Sequence, residues 1–374
     1  MKIVLTGGGS GGHFYPLIAV TEELNKITRE QNLLAPEIFF MSDKPYDKRL
    51  LFENDIIFKK VITGKLRRYF SVQNITDIFK TGWGIIAGFF TVFGIYPDIV
   101  FSKGGYTSFP AVLAARILRI PLIIHESDSV PGRANRWAGK FAGRIAVSYA
   151  EAAKFFPQGR TAWTGNPIRK EIQTPATGAH ALLQFNRATP TILVLGGSQG
   201  ALLINNVILE ILPELLEEFQ VIHQMGTANF KSVTEVISVI LKDSPNKNRY
   251  RPFDYLAADS LRMAVGCADI IISRAGSTIF EIALWGKPSI IVPITDSHGD
   301  HQRENAVAYA KSGSCLVIEE ANLKPHILIS EVRRIINDSK LKKQMAESAR
   351  RFAKPDAAEK IARAILGIAL THEQ

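Results

Sequence analysis

The 374-residue sequence predicts an α/β protein built from two Rossmann-like domains in tandem. Three observations carry this reading. The chain is too long for one ordinary hydrophobic core, and its length suits two domains. Short β-branched runs alternate with helical patterns, as they do when parallel sheets are covered on both faces. A buried strand, a glycine-rich turn and a helix start also occur twice, about half a chain apart. The first copy is Ile3-Val4-Leu5-Thr6-Gly7-Gly8-Gly9-Ser10-Gly11-Gly12, and the second is Ile192-Leu193-Val194-Leu195-Gly196-Gly197-Ser198-Gln199-Gly200-Ala201. Each is how a Rossmann-like half opens.

In chain order, the predicted strands are Lys2–Thr6, Ile38–Met41, Ile99–Ser102, Leu122–His125, Arg144–Val147, Thr191–Leu195, Gln220–Gln224, Ile270–Ser273 and Ser289–Pro293. Helices are expected through Leu17–Ile27 and Leu202–Glu218, with a final amphipathic helix over Asp356–Leu370. The turn-forming cluster Thr164-Gly165-Asn166-Pro167 marks the boundary. Domains over 1–165 and 166–354 follow, with the active site expected in a cleft between them.

Composition narrows the setting. Only two cysteines occur, Cys267 and Cys315, in separate apolar-flanked segments. They have no metal-ligand spacing and read as buried thiols of a reducing compartment. Lys2–Leu5 begins a buried strand at once, without the pattern of a signal peptide, so a cytoplasmic location is expected. The net charge of +10 divides unevenly, with +8 on residues 1–165 and +2 on the rest. A basic half suits nucleic acid, an anionic membrane or an acidic substrate. No basic helix or aromatic–basic strand pattern argues for nucleic acid. Lys65-Leu66-Arg67-Arg68-Tyr69-Phe70, followed by the apolar stretch Trp83–Tyr96, has two readings. One is a segment lying in the headgroup layer, the other a core helix packed on a sheet. The stretch is shorter than the ~20 residues a spanning helix needs.

The chemistry concentrates at the carboxyl ends of strands. Gly7–Gly12 places backbone N–H groups at a helix N-terminus, which favours an anion and allows close approach. A dinucleotide site would want an acidic residue about 20 residues later, and Asp43 lies too far on. His13 follows the turn and serves either as a helix-start side chain capping a neighbour or as a general base. Gly196–Gly200 fits G-x-S-x-G, a hydrolase nucleophile elbow at Ser198. A Ser that binds phosphate explains both glycine turns together. Ser277 and Thr278 start another helix, suited to capping or to phosphate, and Glu281 one turn later suits a ribose diol. The polar run Asp296–Asn305 is read as sugar-hydroxyl recognition or as a solvated loop.

These stretches together resemble the MurG family of glycosyltransferases. The resemblance runs through Gly7–His13, Lys103-Gly104-Gly105-Tyr106, Ile124-His125-Glu126 with Pro131-Gly132 and Asn135, and Gly165-Asn166-Pro167-Ile168-Arg169. It continues through Leu195–Ala201, Ser273–Glu281, Asp300-His301-Gln302 with Asn305, and Lys354-Pro355-Asp356-Ala357-Ala358. It implies the GT-B architecture, with residues 355–374 packing back on the N-terminal domain. That domain would associate with the membrane and bind acceptor, while 166–354 would bind donor. The implied reaction is inverting transfer of N-acetylglucosamine from UDP-N-acetylglucosamine to the muramyl 4-hydroxyl of the undecaprenyl-linked pentapeptide, lipid I. The product is lipid II, which feeds peptidoglycan and hence cell-wall growth, shape and division. The implied setting is peripheral, on the anionic cytoplasmic face of the cell membrane, with no cofactor and no metal.

By the same resemblance His13 is the base. Ser10, Gly11, Gly12, Asp128, Arg169, Ser198, Ser277, Thr278, Glu281 and Gln302 lie on the donor side, and Gly104, Gly105, Tyr106 and Asn135 on the acceptor side. Ser10 stands where Thr is usual, and Ser127-Asp128 replaces Gln-Asn. The stretch Arg274–Glu281 is one residue shorter than the commonest form, and Arg251–Leu261 carries an insertion. Three other readings compete: a related glycosyltransferase with another lipid or glycan acceptor, a serine hydrolase built on Ser198, and a nucleotide-sugar sensor without turnover.

Overall fold

The computed structural model describes residues 1–8, 10–63, 72–197, 200–295 and 300–372, with backbone alone at 72–81 and 372. It divides into two compact units, Met1–Arg169 with Lys354–Gln374, and Lys170–Ala353.

The first unit holds seven parallel strands: β1 (Lys2–Thr6), β2 (Glu37–Ser42), β3 (Ile56–Lys60), β4 (Ile99–Ser102), β5 (Leu122–Glu126), β6 (Arg144–Val147) and β7 (Thr161–Trp163). Their order in the sheet is β3-β2-β1-β4-β5-β6-β7. The strand order reverses between β1 and β4, where Thr6 pairs with Ser102. In open α/β sheets that switch point is where ligands bind. Helix α1 (Gly11–Glu30) leaves the first glycine turn and begins six residues earlier than the apolar pattern suggests. Glycine opens it, so the apolar stripe starts only at Phe14. The other helices of this unit's first stretch are α2 (Lys48–Glu53), α3 (Val72–Ile95), α4 (Phe109–Ile117) and α5 (Arg133–Ala138).

The second unit repeats the plan with six parallel strands: β8 (Thr191–Leu195), β9 (Gln220–Gln224), β10 (Tyr250–Phe253), β11 (Ile270–Ser273), β12 (Ser289–Ile291) and β13 (Cys315–Val317). Their order is β10-β9-β8-β11-β12-β13, so the switch point lies between β8 and β11, where Leu195 pairs with Ser273. The expected strand Ser289–Pro293 ends two residues sooner, at Ile291. Its helices are α6 (Lys170–Gln173), α7 (Ala179–Leu183), α8 (Leu202–Glu218), α9 (Phe230–Ile240), α10 (Ala258–Cys267), α11 (Thr278–Trp285), α12 (His301–Ala310), α13 (Pro325–Asn337) and α14 (Ser339–Phe352). Cys267 is buried, but Cys315, on edge strand β13, is only half-buried, which corrects the expectation of two buried thiols.

The last helix, α15 (Ala357–His372), belongs to the first unit and packs on α1. Its buried residues Ile361, Ala362, Ile365, Leu366 and Ala369 recur at helical spacing and join the core of Ile3, Leu5, Leu17, Val20 and Leu24. The second unit has its own core, from Ile192, Val194, Ile208, Leu212, Ile272 and Val332.

Candidate active site

Within the first unit, the two segments that follow β1 and β4 are brought together at the switch point. Lys103 N donates to Thr6 O at 2.8 Å, so the chain leaving β4 runs directly beside the glycine turn. Ser10 precedes α1 in extended backbone, yet its hydroxyl caps nothing. It lies 3.1 Å from His13 Nδ1 instead. His13 sits in the first turn of α1, half-buried, with Nε2 toward Gly105; a Cβ added at Gly105 would stand 3.8 Å from that nitrogen. Gly105 has φ +82° and Gly104 +80°, left-handed backbone that glycine adopts without strain. A Cβ at Gly104 would also meet the Asn135 amide at 2.7 Å.

Burial, reinforced by Lys103 and opposed by Asp128, lowers the His13 pKa to about 4. The imidazole is therefore neutral at physiological pH. In the tautomer protonated on Nδ1 it donates to Ser10 Oγ and turns the Nε2 lone pair toward Gly105. The contact with the neighbouring Ser10 hydroxyl suits the helix-start reading, and Nε2, facing Gly105, suits the general-base reading.

Behind His13 lies a buried polar network. Lys103 Nζ contacts His125 Nδ1 at 2.6 Å and donates to Asn166 Oδ1 at 3.1 Å. His125 Nε2 lies 3.0 Å from Gly165 O, which its N–H can donate to. Glu126 accepts from Asp128 N (2.9 Å), Gly132 N (3.1 Å) and Asn135 Nδ2 (2.9 Å). Burial, with Asp128 nearby, raises the Glu126 carboxyl to about 7. Lys103 is lowered to about 7 by burial, against the pull of Glu126 and Asp128. Tyr106 OH donates to Asp43 Oδ2 at 3.1 Å. Thus His13, Ser10, Gly104, Gly105, Asn135 and Asp128 share one neighbourhood, with Tyr106 following directly along the chain. The sequence reading left Lys103, His125 and Glu126 out of the site. A lysine directly after the apolar run Ile99–Ser102, at the carboxyl end of a buried strand, was the signal available.

Arg169, where the chain first leaves the first unit, stacks its guanidinium 4.0 Å from the Tyr15 ring centroid. Gly11 makes room for this aromatic group, since a Cβ there would meet Tyr46 OH at 2.8 Å and Tyr15 at 2.9 Å. Gly12 lies beside it in the half-buried first turn of α1.

In the second unit, the turn after β8 and the segment after β11 stand at the matching switch point. Ser198 and Gln199 lie outside the described residues, as do 296–299 and 64–71. Ser277 precedes α11 and makes no side-chain cap, so its hydroxyl is not used in closing the helix. Thr278 is the first residue of α11, and Glu281 follows in its first turn, half-buried. Gln302, in the first turn of α12, accepts from Ile294 N at 3.2 Å, and Asn305 Nδ2 donates to Ala275 O at 3.2 Å. These two bonds tie α12 to the ends of β12 and β11. Arg274 pairs with Glu320 at 2.7 Å and donates to Val292 O, linking the same strand ends. Among the described residues, no group of three His, Cys, Asp or Glu side chains is placed to hold a metal ion.

The sequence matches the glycosyltransferase family 28 N-terminal domain over residues 3–147 and the family 28 C-terminal domain over 191–361. It is 36% identical over 343 residues to a UDP-N-acetylglucosamine–N-acetylmuramyl-(pentapeptide) pyrophosphoryl-undecaprenol N-acetylglucosamine transferase of Bacillus anthracis, covering 90% of this chain and 92% of the relative. The enzyme of that name from Treponema denticola is 36% identical over 373 residues, covering 94% and 93%. The chain belongs to the MurG family. The structure of Acinetobacter baumannii MurG superposes with a TM-score of 0.73 at 24% identity, covering 98% of this chain and 99% of that one. Neisseria meningitidis UDP-GlcNAc 2-epimerase bound to UDP-GlcNAc shares the fold at 16% identity, with a TM-score of 0.69 over 98% and 100% of the two chains. The MurG fold, two Rossmann-like units of the GT-B class, is the fold of this chain. Membership in a glycosyltransferase family does not favour the hydrolase reading of Ser198.

Proposed function

We propose that this MurG-family protein transfers N-acetylglucosamine from UDP-N-acetylglucosamine to the 4-hydroxyl of the muramyl sugar of lipid I, forming lipid II. The observation that carries the reading is His13, whose Nδ1 lies 3.1 Å from Ser10 Oγ while its Nε2 faces the glycine turn at Gly105. The acceptor hydroxyl lies against Gly104, Gly105 and Tyr106, with Asn135 bracing the turn. As its oxygen attacks C1, the proton passes to His13 Nε2, the bond from C1 to the diphosphate oxygen breaks, and UDP departs with inversion.

The second unit binds the donor. Ser277 and Thr278, at a helix N-terminus, meet UDP, Glu281 accepts from the ribose hydroxyls, and Gln302 reads the sugar. Arg169 and Ser198 neutralise charge gathering on the leaving diphosphate, assisted by Ser10, Gly11 and Gly12 at the N-terminus of α1. Asp128 lies on the donor side. The protein works at the anionic cytoplasmic membrane surface, where its acceptor resides, and needs no nucleic acid. The exposed aromatic face of α3 supports that location: Trp83, Ile86, Phe90 and Phe93 are all more than half exposed. No described helix is long and apolar enough to cross a membrane.

Purified protein incubated with UDP-N-acetylglucosamine and a lipid I analogue should yield the disaccharide product. Glu281→Ala should weaken UDP binding, whereas His13→Ala should lower kcat with donor affinity retained. Equal loss of UDP affinity in both variants removes His13 from the role of base. Absence of transfer by folded protein removes the reading as a whole.

A further inference from the structure

Lysine is among the side chains least often fully buried, yet Lys103 is 1% exposed. Its main chain belongs to the glycine turns: Lys103 N donates to Thr6 O, and Gly104 and Gly105 follow it directly. Its side chain reaches the other way, to the segment by which the chain first leaves this unit. Nζ donates to Asn166 Oδ1 at 3.1 Å and contacts His125 Nδ1 at 2.6 Å. His125 Nε2 stands 3.0 Å from Gly165 O. A carbonyl oxygen can only accept, so the neutral ring carries its proton on Nε2, and Nδ1 accepts from Lys103. One ammonium therefore holds two consecutive residues, Asn166 directly and Gly165 through the imidazole. Residues 164–169 are buried throughout. Three positions beyond Asn166 the segment reaches Arg169, whose guanidinium lies on the Tyr15 ring.

We propose that Lys103 is a positioning residue for Arg169, holding the segment Gly165–Arg169 to the end of β4 so that the guanidinium is in place before the donor diphosphate arrives. A planar cation needs two things fixed. The Tyr15 face sets the plane of the guanidinium, and the grip on Asn166 sets the path of the backbone that carries it. Pro167, between the two, has its φ locked by its ring, so little slack separates the held residue from the arginine. A cation positioned in advance loses less freedom on meeting a diphosphate than one on a loose segment. The same lysine begins the turn at Gly104–Gly105, so both edges of the first unit's site share one anchor. This rests on the assignment of Arg169 to the donor diphosphate. Lys103 itself is shut off from ligand by its burial.

The experiment is calorimetric titration of the full chain with UDP, and with uridine, which lacks the diphosphate, as a second probe. Arg169→Met is expected to weaken UDP binding about tenfold, the loss of one charge-assisted hydrogen bond. Lys103→Met keeps the length of the side chain and removes both of its bonds. It is expected to weaken UDP about threefold or more and to leave uridine within about twofold. The double variant decides. If Lys103 acts through Arg169, its removal costs nothing further once Arg169 is Met, whereas a merely structural defect adds to the first loss. Additive losses overturn the proposal, and so does a Lys103→Met protein that binds UDP like the parent or loses uridine equally. If Lys103→Met fails to fold, Asn166→Ala carries the same cycle, and additivity with Arg169→Met overturns the proposal there too. Unchanged UDP affinity in Arg169→Met would refute the diphosphate assignment, and the proposal with it. Weakened UDP in Arg169→Met beside an unaltered Lys103→Met refutes the proposal alone.

Discussion

Arg169 is 7% exposed, and its guanidinium carbon stands 4.0 Å from the centroid of the Tyr15 ring. Tyr15 meets Tyr46 edge-on at 5.7 Å, and Tyr46 lies 5.1 Å from Phe14, so the ring under Arg169 is itself held by aromatic neighbours. A planar cation on a fixed ring face has its orientation set before a ligand arrives, which is why Lys is not an equivalent substitute. If Arg169 meets the donor diphosphate, as proposed, removing the ring should be felt in catalysis. Tyr15→Leu is expected to lower kcat/KM about 5- to 30-fold, the equivalent of ~1–2 kcal/mol for a partly desolvated cation–π contact. Tyr15→Phe keeps the face and should stay within about twofold. Steady-state kinetics in both substrates checks this, and a Tyr15→Phe enzyme as impaired as Tyr15→Leu would assign the effect to the hydroxyl instead.

At the scale of elements, α3 shows why a continuous apolar run does not decide its own environment. Gly84 and Gly88 face inward, close to the Ile62 carbonyl and to Pro110, and Val92 and Ile95 are buried on the same side. Trp83, Ile86, Phe90 and Phe93 recur at helical spacing on the opposite face and are exposed. The core-helix reading thus holds for one side, and the other side is an apolar surface. An exposed stripe of this kind suits insertion into a headgroup layer. Phe90→Ser with Phe93→Ser is expected to weaken binding to anionic vesicles about tenfold or more, from the lost apolar burial. Turnover of a water-soluble acceptor should be retained. Unchanged sedimentation with vesicles would exclude this face from the contact.

The same scale explains which strands the sequence showed. Every strand read from it lies inside a sheet, and β3, β7, β10 and β13, which it did not show, are the four edges. Interior strands such as β1, β8 and β11 are apolar runs because helices cover both faces. Edge strands are short and half-exposed, and β10 even carries Pro252, so their sequences merge into loop composition. Site residues followed a similar rule. Glycine turns and His13 announce themselves locally, but the importance of Lys103 and Glu126 arises from partners 22 and 9 residues away. A single stretch of sequence cannot display that.

For the whole molecule, two separate cores and a chain that passes between units at Arg169–Lys170 and again at Ala353–Lys354 imply two cooperative folding units. The first unit is not finished until the last helix has been made. Ile365 is fully buried in α15 within the core that includes Leu17 and Leu24 of α1, so its truncation removes packing from residues more than 300 positions earlier. Ile365→Ala is expected to destabilise by about 2–4 kcal/mol, as for other large-to-small changes in a packed core. Hydrogen exchange resolved by peptide should confine the loss to Met1–Arg169 and α15. UDP at about a hundredfold its Kd should instead add ~2.7 kcal/mol of protection, greatest in Lys170–Ala353 around Ser277–Glu281 and smaller at the proposed diphosphate contacts Arg169 and Ser10–Gly12. Equal changes in both units under either perturbation would mean that they unfold as one body. The unit proposed to bind donor and the unit proposed to supply the base would then share one stability.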